Sequence, residues 1–204
     1  SYTDVNTGIS FVGWADGTGY QFGMVMPKEP KATEFIVQLA SPLKNGVGWA
    51  GIDFASTMVG HLMIVAWPNG GTVMMAPRIS TAESEDDTKP YTANPISLTP
   101  IPKGTFVNAT HVSATFICGG CVNQDSFSLS GAAAGGTTNK RKQQATSGTG
   151  TVFGFAYSWI PVDSPGNVNT RISDHTLEGE PYGTLQVVLA DAQSDKYASY
   201  AALA

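Results

Sequence analysis

Charge is scarce in this chain of 204 residues: 13% are Asp, Glu, Lys or Arg, and the balance is −5 with a pI near 5.0. An acidic, lightly charged surface disfavours a nucleic-acid partner, whose phosphates attract basic proteins. Cysteine occurs twice and histidine three times, so any metal or redox chemistry has few ligands to draw on. No apolar run approaches the roughly 18 residues of a membrane span; the longest is Leu62 to Trp67, and no membrane association is expected. The start carries neither an Arg-rich leader nor the apolar core of a signal peptide, which reads as a mature or excised start. Residues that favour helices are thin, and a helical bundle is disfavoured.

Small and turn-forming residues fill the space. Glycine (23) and proline (12) make up about one residue in six, and Ser and Thr add 17 and 21. The 42% hydrophobic share is enough to bury a core and argues against disorder. Strand-like runs cover Ile9 to Trp14, Tyr20 to Met26, Glu34 to Ala40, Gly48 to Ile52, His61 to Trp67 and Thr72 to Ala76. They continue over Phe106 to Ile117, Ser126 to Leu129 and Thr151 to Ile160. Between them stand Asp16-Gly17, Asn45-Gly46 and Asn69-Gly70-Gly71, dipeptides that tolerate positive φ and favour hairpins. Helical periodicity is confined to one short amphipathic segment, Asp191 to Leu203. The pattern predicts one all-β domain over residues 1–204, an antiparallel sandwich or barrel. The basic cluster Lys140-Arg141-Lys142 and the acidic run Glu83 to Asp87 read as solvated loops.

The two cysteines form Cys118-Gly119-Gly120-Cys121 at the end of a strand-like run. A structural zinc site wants a second ligand pair, a thioredoxin motif opens a helix, and a covalent c-type haem needs His after the second Cys, where Val122 stands. What remains is a short disulfide, which points to an oxidising compartment. Asn108-Ala109-Thr110 is an acceptor sequence for N-glycosylation and fits secretion. His61 opens an apolar strand, His111 lies within one, and His175 sits in the polar stretch Arg171 to Thr176. Met24, Met26, Met63, Met74 and Met75 fall in strands, whereas Met58 lies between two of them. No Gly-x-Ser-x-Gly elbow accompanies Asp174-His175. A chain that starts with Ser1 does not offer the N-terminal His of copper oxygenases.

Several segments in order resemble the haem-binding cytochrome domain of fungal cellobiose dehydrogenase and the related cytochrome domains of pyranose dehydrogenases. They are Tyr2-Thr3-Asp4 with Thr7-Gly8-Ile9, Thr33 to Ile36, Trp49-Ala50-Gly51-Ile52, Met58 followed by Leu62 to Gly70, Asn108 to His111, Phe116 to Cys121, and Ser173-Asp174-His175-Thr176. The resemblance implies an immunoglobulin-like β-sandwich with a pocket for one non-covalent haem b. It implies Met58 and His175 as axial ligands, with His61 at most lining the haem edge. Tyr91 is the implied propionate neighbour, and charge alone nominates Arg78 for the same role. With both axial positions filled, such a centre transfers single electrons and leaves no site for oxygen. The implied donor is a flavin- or quinone-dependent sugar dehydrogenase, fused or separate, and the implied acceptors are copper polysaccharide monooxygenases or ferric complexes outside the cell. The stretch from Cys121 to Thr151 is longer than in that family, and a mobile loop or extended hairpin is expected over Gly131 to Gly150.

The competing expectation is a secreted carbohydrate-binding sandwich that uses exposed aromatics, against which Trp14, Trp49, Trp67 and Trp159 read as core residues. A haem sensor or transporter on the same sandwich is a third.

Overall fold

The computed structural model describes residues 1–15, 17–29, 32–82, 88–122, 150–172, 175 and 182–204. The expected strand Ser126 to Leu129, the acidic run, the Lys140 to Lys142 cluster and the long loop around it lie outside the described residues. The expected all-β sandwich is the observed fold: two antiparallel sheets packed face to face.

The first sheet contains β1 (Tyr2–Thr3), β2 (Ser10–Ala15), β3 (Gln21–Val25), β4 (Glu34–Pro42), β9 (Ser97–Pro100), β10 (Phe106–Val107) and β11 (His111–Gly119). Its path runs β1-β2-β3-β4-β11-β10, and β9 pairs with the far half of β11. The second contains β5 (Trp49–Asp53), β6 (Leu62–Asn69), β7 (Thr72–Ser80), β8 (Thr88–Pro90), β12 (Thr151–Ser158) and β13 (Tyr182–Val187). Its order is β13-β12-β5-β6-β7-β8.

Alternation decides which side chains meet between the sheets. Phe22, Met24, Phe35, Val37, Leu39, Ala114 and Phe116 of the first sheet face Ala50, Ile52, Leu62, Ile64, Ala66, Phe153 and Tyr157 of the second. Aromatic pairs bind the two together, with Phe22 and Phe153 centroids 5.4 Å apart and Tyr20 stacked on Tyr157 at 5.9 Å. The Tyr20 hydroxyl donates to the Gly51 carbonyl at 3.1 Å and so enters the core satisfied.

Strand β6 shows no alternation: Leu62 to Pro68 are all buried. Both of its faces are covered, one by the sandwich core and the other by the segment after β12, whose Val162 and Ile172 pack on Trp49, Val65, Trp67 and Ala76. The outer face of the first sheet is covered in turn by the C-terminus. Tyr197 joins Ile9, Phe11, Val25, Ile36 and Ile101 there. Backbone bonds from Met26 to Ala192 and Ser194 hold that end in place.

Three local expectations change. The single strand expected from Phe106 to Ile117 is a hairpin of β10 and β11, because the Asn108 side-chain oxygen accepts from the Thr110 and His111 N–H groups and turns the chain. The expected C-terminal helix is two short ones, α1 (Leu189–Ala192) and α2 (Tyr197–Ala201), separated where the chain bonds to Met26. Asn45-Gly46 does make a tight turn, with φ of 56° and 76°, but it carries the chain from β4 in one sheet to β5 in the other instead of joining neighbours.

Gly48 sets the entry into β5. Its φ is +139°, and an added Cβ would lie 2.5 Å from the Ser158 carbonyl. That carbonyl belongs to backbone and has little room to give. Gly48→Ala is expected to lower stability by about 1–3 kcal/mol, read as a fall in denaturation midpoint.

Candidate cofactor site

The outer face of the second sheet is built in rows by strand register. The middle row runs Tyr182, Ala156, Gly51, Val65, Ala76 from β13 across to β7. The next row runs Thr184, Gly154, Asp53, Met63, Arg78, Pro90. Gly51, Gly154, Ala76 and Ala156 give this face a shelf of short side chains, with Val162 and Ile172 packed over its Val65 and Ala76. A Cβ on Gly154 would approach the Ala55 carbonyl to 3.2 Å and the Asp53 Cβ to 3.3 Å, so that position tolerates only glycine without movement.

Two irregular segments border this sheet. The segment after β12 is fixed by the Trp67 indole N–H, which donates to the Pro165 carbonyl at 2.9 Å. Further on lies His175, half-buried, with its ring centroid 6.3 Å from Trp49 in an edge-on arrangement and 4.9 Å from Tyr182. Its Nδ1 is shielded from solvent. The second segment joins β5 to β6 and carries Met58, half-buried. It is pinned at both ends: the Phe54 N–H donates to the Leu62 carbonyl at 3.1 Å, and the Gly60 N–H to the Ser80 carbonyl at 2.8 Å. Met58 and His175 thus come from connections on the same sheet, one rooted at β6 and β7 and the other against β5 and β13.

Arg78 lies on the same face, 2% exposed. Its Nη2 donates to the Thr88 carbonyl at 2.8 Å and its Nη1 to the Val168 carbonyl at 3.5 Å, while Nε makes no hydrogen bond. Burial lowers the pKa of the guanidinium from its ordinary value, and no carboxylate pairs with it among the described residues. Tyr91 does not join this group. Its ring belongs to the cluster between the sheets, and its hydroxyl accepts from the Asn94 amide at 3.2 Å. His61 turns back into its own connection, its Nδ1 donating to the Thr57 carbonyl at 3.0 Å. His111 bonds the Thr110 hydroxyl at the start of β11, on the other sheet.

Sequence reasoning overlooked Asp53. It is 5% exposed, and neither carboxylate oxygen makes a hydrogen bond of good geometry. Burial pushes its pKa up to about 8, opposed only by the nearby Ala55 N–H. The signal was there: a single ionisable residue ends the otherwise apolar Trp49-Ala50-Gly51-Ile52-Asp53-Phe54.

Cys118 and Cys121 form the expected disulfide, with Cα atoms 5.6 Å apart, and both are buried in the sandwich core. Trp67 and Trp49 are buried, Trp14 and Trp159 partly so, and both partly buried rings pack against the core. These four rings therefore do not form the exposed platform that a sugar-binding face needs.

The cytochrome-domain family of cellobiose dehydrogenase matches residues 2–199 of this sequence. The chain belongs to that family. Among solved structures, the cytochrome domain of cellobiose dehydrogenase from Myriococcum thermophilum superposes with a TM-score of 0.76 at 24% identity, covering 100% of this chain and 94% of that one. The cytochrome b domain of pyranose dehydrogenase from Coprinopsis cinerea gives 0.75 at 18%, covering 99% and 93%. At these identities the two structures establish the fold of this cytochrome domain, while the family match over residues 2–199 establishes its kinship.

The buried Asp53 makes stability depend on pH. Its folded pKa, about 8, lies above the 3.8 of an ordinary Asp. The unfolded chain therefore loses this proton first, and stability falls as pH rises from about 4 to about 8, then levels. In thermal melts of the cofactor-free domain, Asp53→Asn should remove that fall and melt higher than wild type at alkaline pH.

Proposed function

We propose that this domain transfers single electrons through one non-covalently held haem b on the outer face of the second sheet. The family match over residues 2–199 is the observation that carries the proposal. When bound, haem b supplies a ferric–ferrous couple. Several features of the face suit it. Gly51, Ala156, Val65 and Ala76 are small or apolar, which suits a flat macrocycle, and Val162 and Ile172, which pack on Val65 and Ala76, would shift to admit it. Arg78 offers a buried guanidinium whose Nε makes no hydrogen bond and could donate to a carboxylate such as a propionate. Arg78 is preferred to Tyr91 for that role, because the Tyr91 ring is committed to the core. The cysteines are joined to each other and offer no thiol for covalent attachment.

Met58 and His175 would be the axial pair. Met58 contributes a thioether, which favours the ferrous state, and its connection is held at both ends. Trp49 and Tyr182 bracket the His175 ring and limit its rotation. Ligands held in this way need little movement on reduction, which suits fast electron exchange.

Within this reading, residues 1–204 are one cytochrome domain. The electron donor is a flavin- or quinone-dependent sugar dehydrogenase, and the acceptors are copper polysaccharide monooxygenases or ferric complexes. The Cys118–Cys121 disulfide supports an extracellular, oxidising location. Asn108 lies in an exposed turn, where a glycan could be carried.

Protein mixed with haem should take up one equivalent and, when reduced, show the sharp bands of a six-coordinate b-type centre that carbon monoxide does not alter. His175→Ala and Met58→Ala should abolish the six-coordinate spectrum, while His111→Ala should leave it intact. A folded protein that takes up no haem would sink the reading. Ligand exchange with carbon monoxide would move it to a sensor or transporter.

A further inference from the structure

Asp53 remains unused by this assignment, and its placement is unusual. It lies on the outer face, in register with Gly154 on one side and Met63 on the other. It is 5% exposed and both carboxylate oxygens make no hydrogen bond of good geometry. A buried carboxylate in that condition is costly unless it is neutral or paired. Among the described residues, the groups around it provide no ion pair. From β12 the facing residue is Gly154, and from β6 it is Met63, neither of them titratable. From β7 the only cation is Arg78, separated from Asp53 by the width of β6 and bonded to the Thr88 and Val168 carbonyls. From the connection after Asp53 the only titratable side chain is His61, turned onto Thr57. His175 and Tyr182 lie toward the β13 side of the same face.

What does change charge on this face, if haem occupies it, is the haem itself. A ferric b-type centre with neutral axial ligands carries a net positive charge, and a ferrous one does not. In a dry site that difference acts strongly on a neighbouring carboxylate. We propose that Asp53 is a redox-linked proton site: it binds one proton when the haem centre gains an electron and releases it when the electron leaves. The inference rests on the haem reading above. The balance is one electron, delivered by a dehydrogenase or an electrode, plus one proton from solvent. The iron is reduced, and the ionised carboxylate becomes the neutral acid. The elevated pKa of Asp53 places this exchange near neutral pH. The domain's driving force would then depend on the acidity of its surroundings.

Spectroelectrochemical titration of the haem-loaded domain between about pH 5 and pH 9 tests this. The wild-type potential should fall as pH rises. Asp53→Asn, which mimics the protonated side chain, should match wild type at the acid end, stay nearly flat, and lie higher at the alkaline end. His61→Gln should keep the wild-type slope. The propionates can titrate too, and a slope retained in Asp53→Asn would assign it to them and overturn the proposal. So would a wild-type potential that does not vary with pH. A measurement without any variant covers poor folding of Asp53→Asn: the reduced-minus-oxidised infrared spectrum of wild type should gain a protonated-carboxyl band, and its absence would equally overturn the assignment. Failure to bind haem at all would instead remove the reading beneath it.

Discussion

Strand β6 must be covered on both faces. Seven consecutive buried residues, Leu62 to Pro68, leave it no solvent side, and apolar surface left in water would cost roughly 25 cal/mol per Å². The sandwich supplies one cover. The other has to come from outside the sheet, and the segment carrying Val162 and Ile172 packs there on Val65, Trp67 and Ala76. Much else follows from that requirement: the long connection after β12, the Trp67–Pro165 bond that anchors it, and a neighbouring shelf made low by glycine and alanine. In an ordinary antiparallel sandwich the outer face is polar and needs no cover. Here it is apolar, and it is the face where the cofactor is proposed to sit.

The charged residues of that face make sense in the same terms. A purely apolar shelf would bind any flat hydrophobe. Arg78 and Asp53, in one row with Met63 between them, place a cation and an acid that burial keeps protonated near neutral pH at separate points of the same surface. Met63 keeps the two apart, so the acid is not drawn into an ion pair with the guanidinium. Fixed charge in a dry setting discriminates between ligands and between oxidation states more sharply than the same charge in water.

The fold was largely legible in the sequence. Strand-like runs and turn dipeptides placed the long strands β2 to β5, β7, β11 and β12, and the apolar run Leu62 to Trp67 marked β6 as a strand without showing that both its faces are covered. The short strands β1, β8, β9 and β13 were not legible, since strands such as Tyr2–Thr3 and Thr88–Pro90 exist only because a longer partner recruits them. For the candidate site, Met58 and His175 were named by the family resemblance, and Met58 also lies off the strands, whereas nothing local separates His175 from the other two histidines. Arg78 was nominated by charge alone, and its burial at 2% exposed is a fact of tertiary structure. Asp53 escaped notice because its meaning comes from the residues across the sheet, Gly154 and Met63, which lie far from it in sequence or on another strand. Tyr91 was nominated from family position, and its packing into the core is a fact of tertiary structure that no local pattern encodes.

The crossing at Asn45-Gly46 bears on the order of assembly. Strands β5, β6 and β7 follow one another and pair as near neighbours, so most of one wall of the site rests on short loops and can form early. Its remaining wall, β12 and β13, comes from residues 151 to 187 and must travel back across the intervening first-sheet strands to pair with β5. The shelf cannot be complete before that late, long-range closure. A macrocycle offered to a nascent chain therefore meets a half-built surface, and its capture belongs to the end of folding.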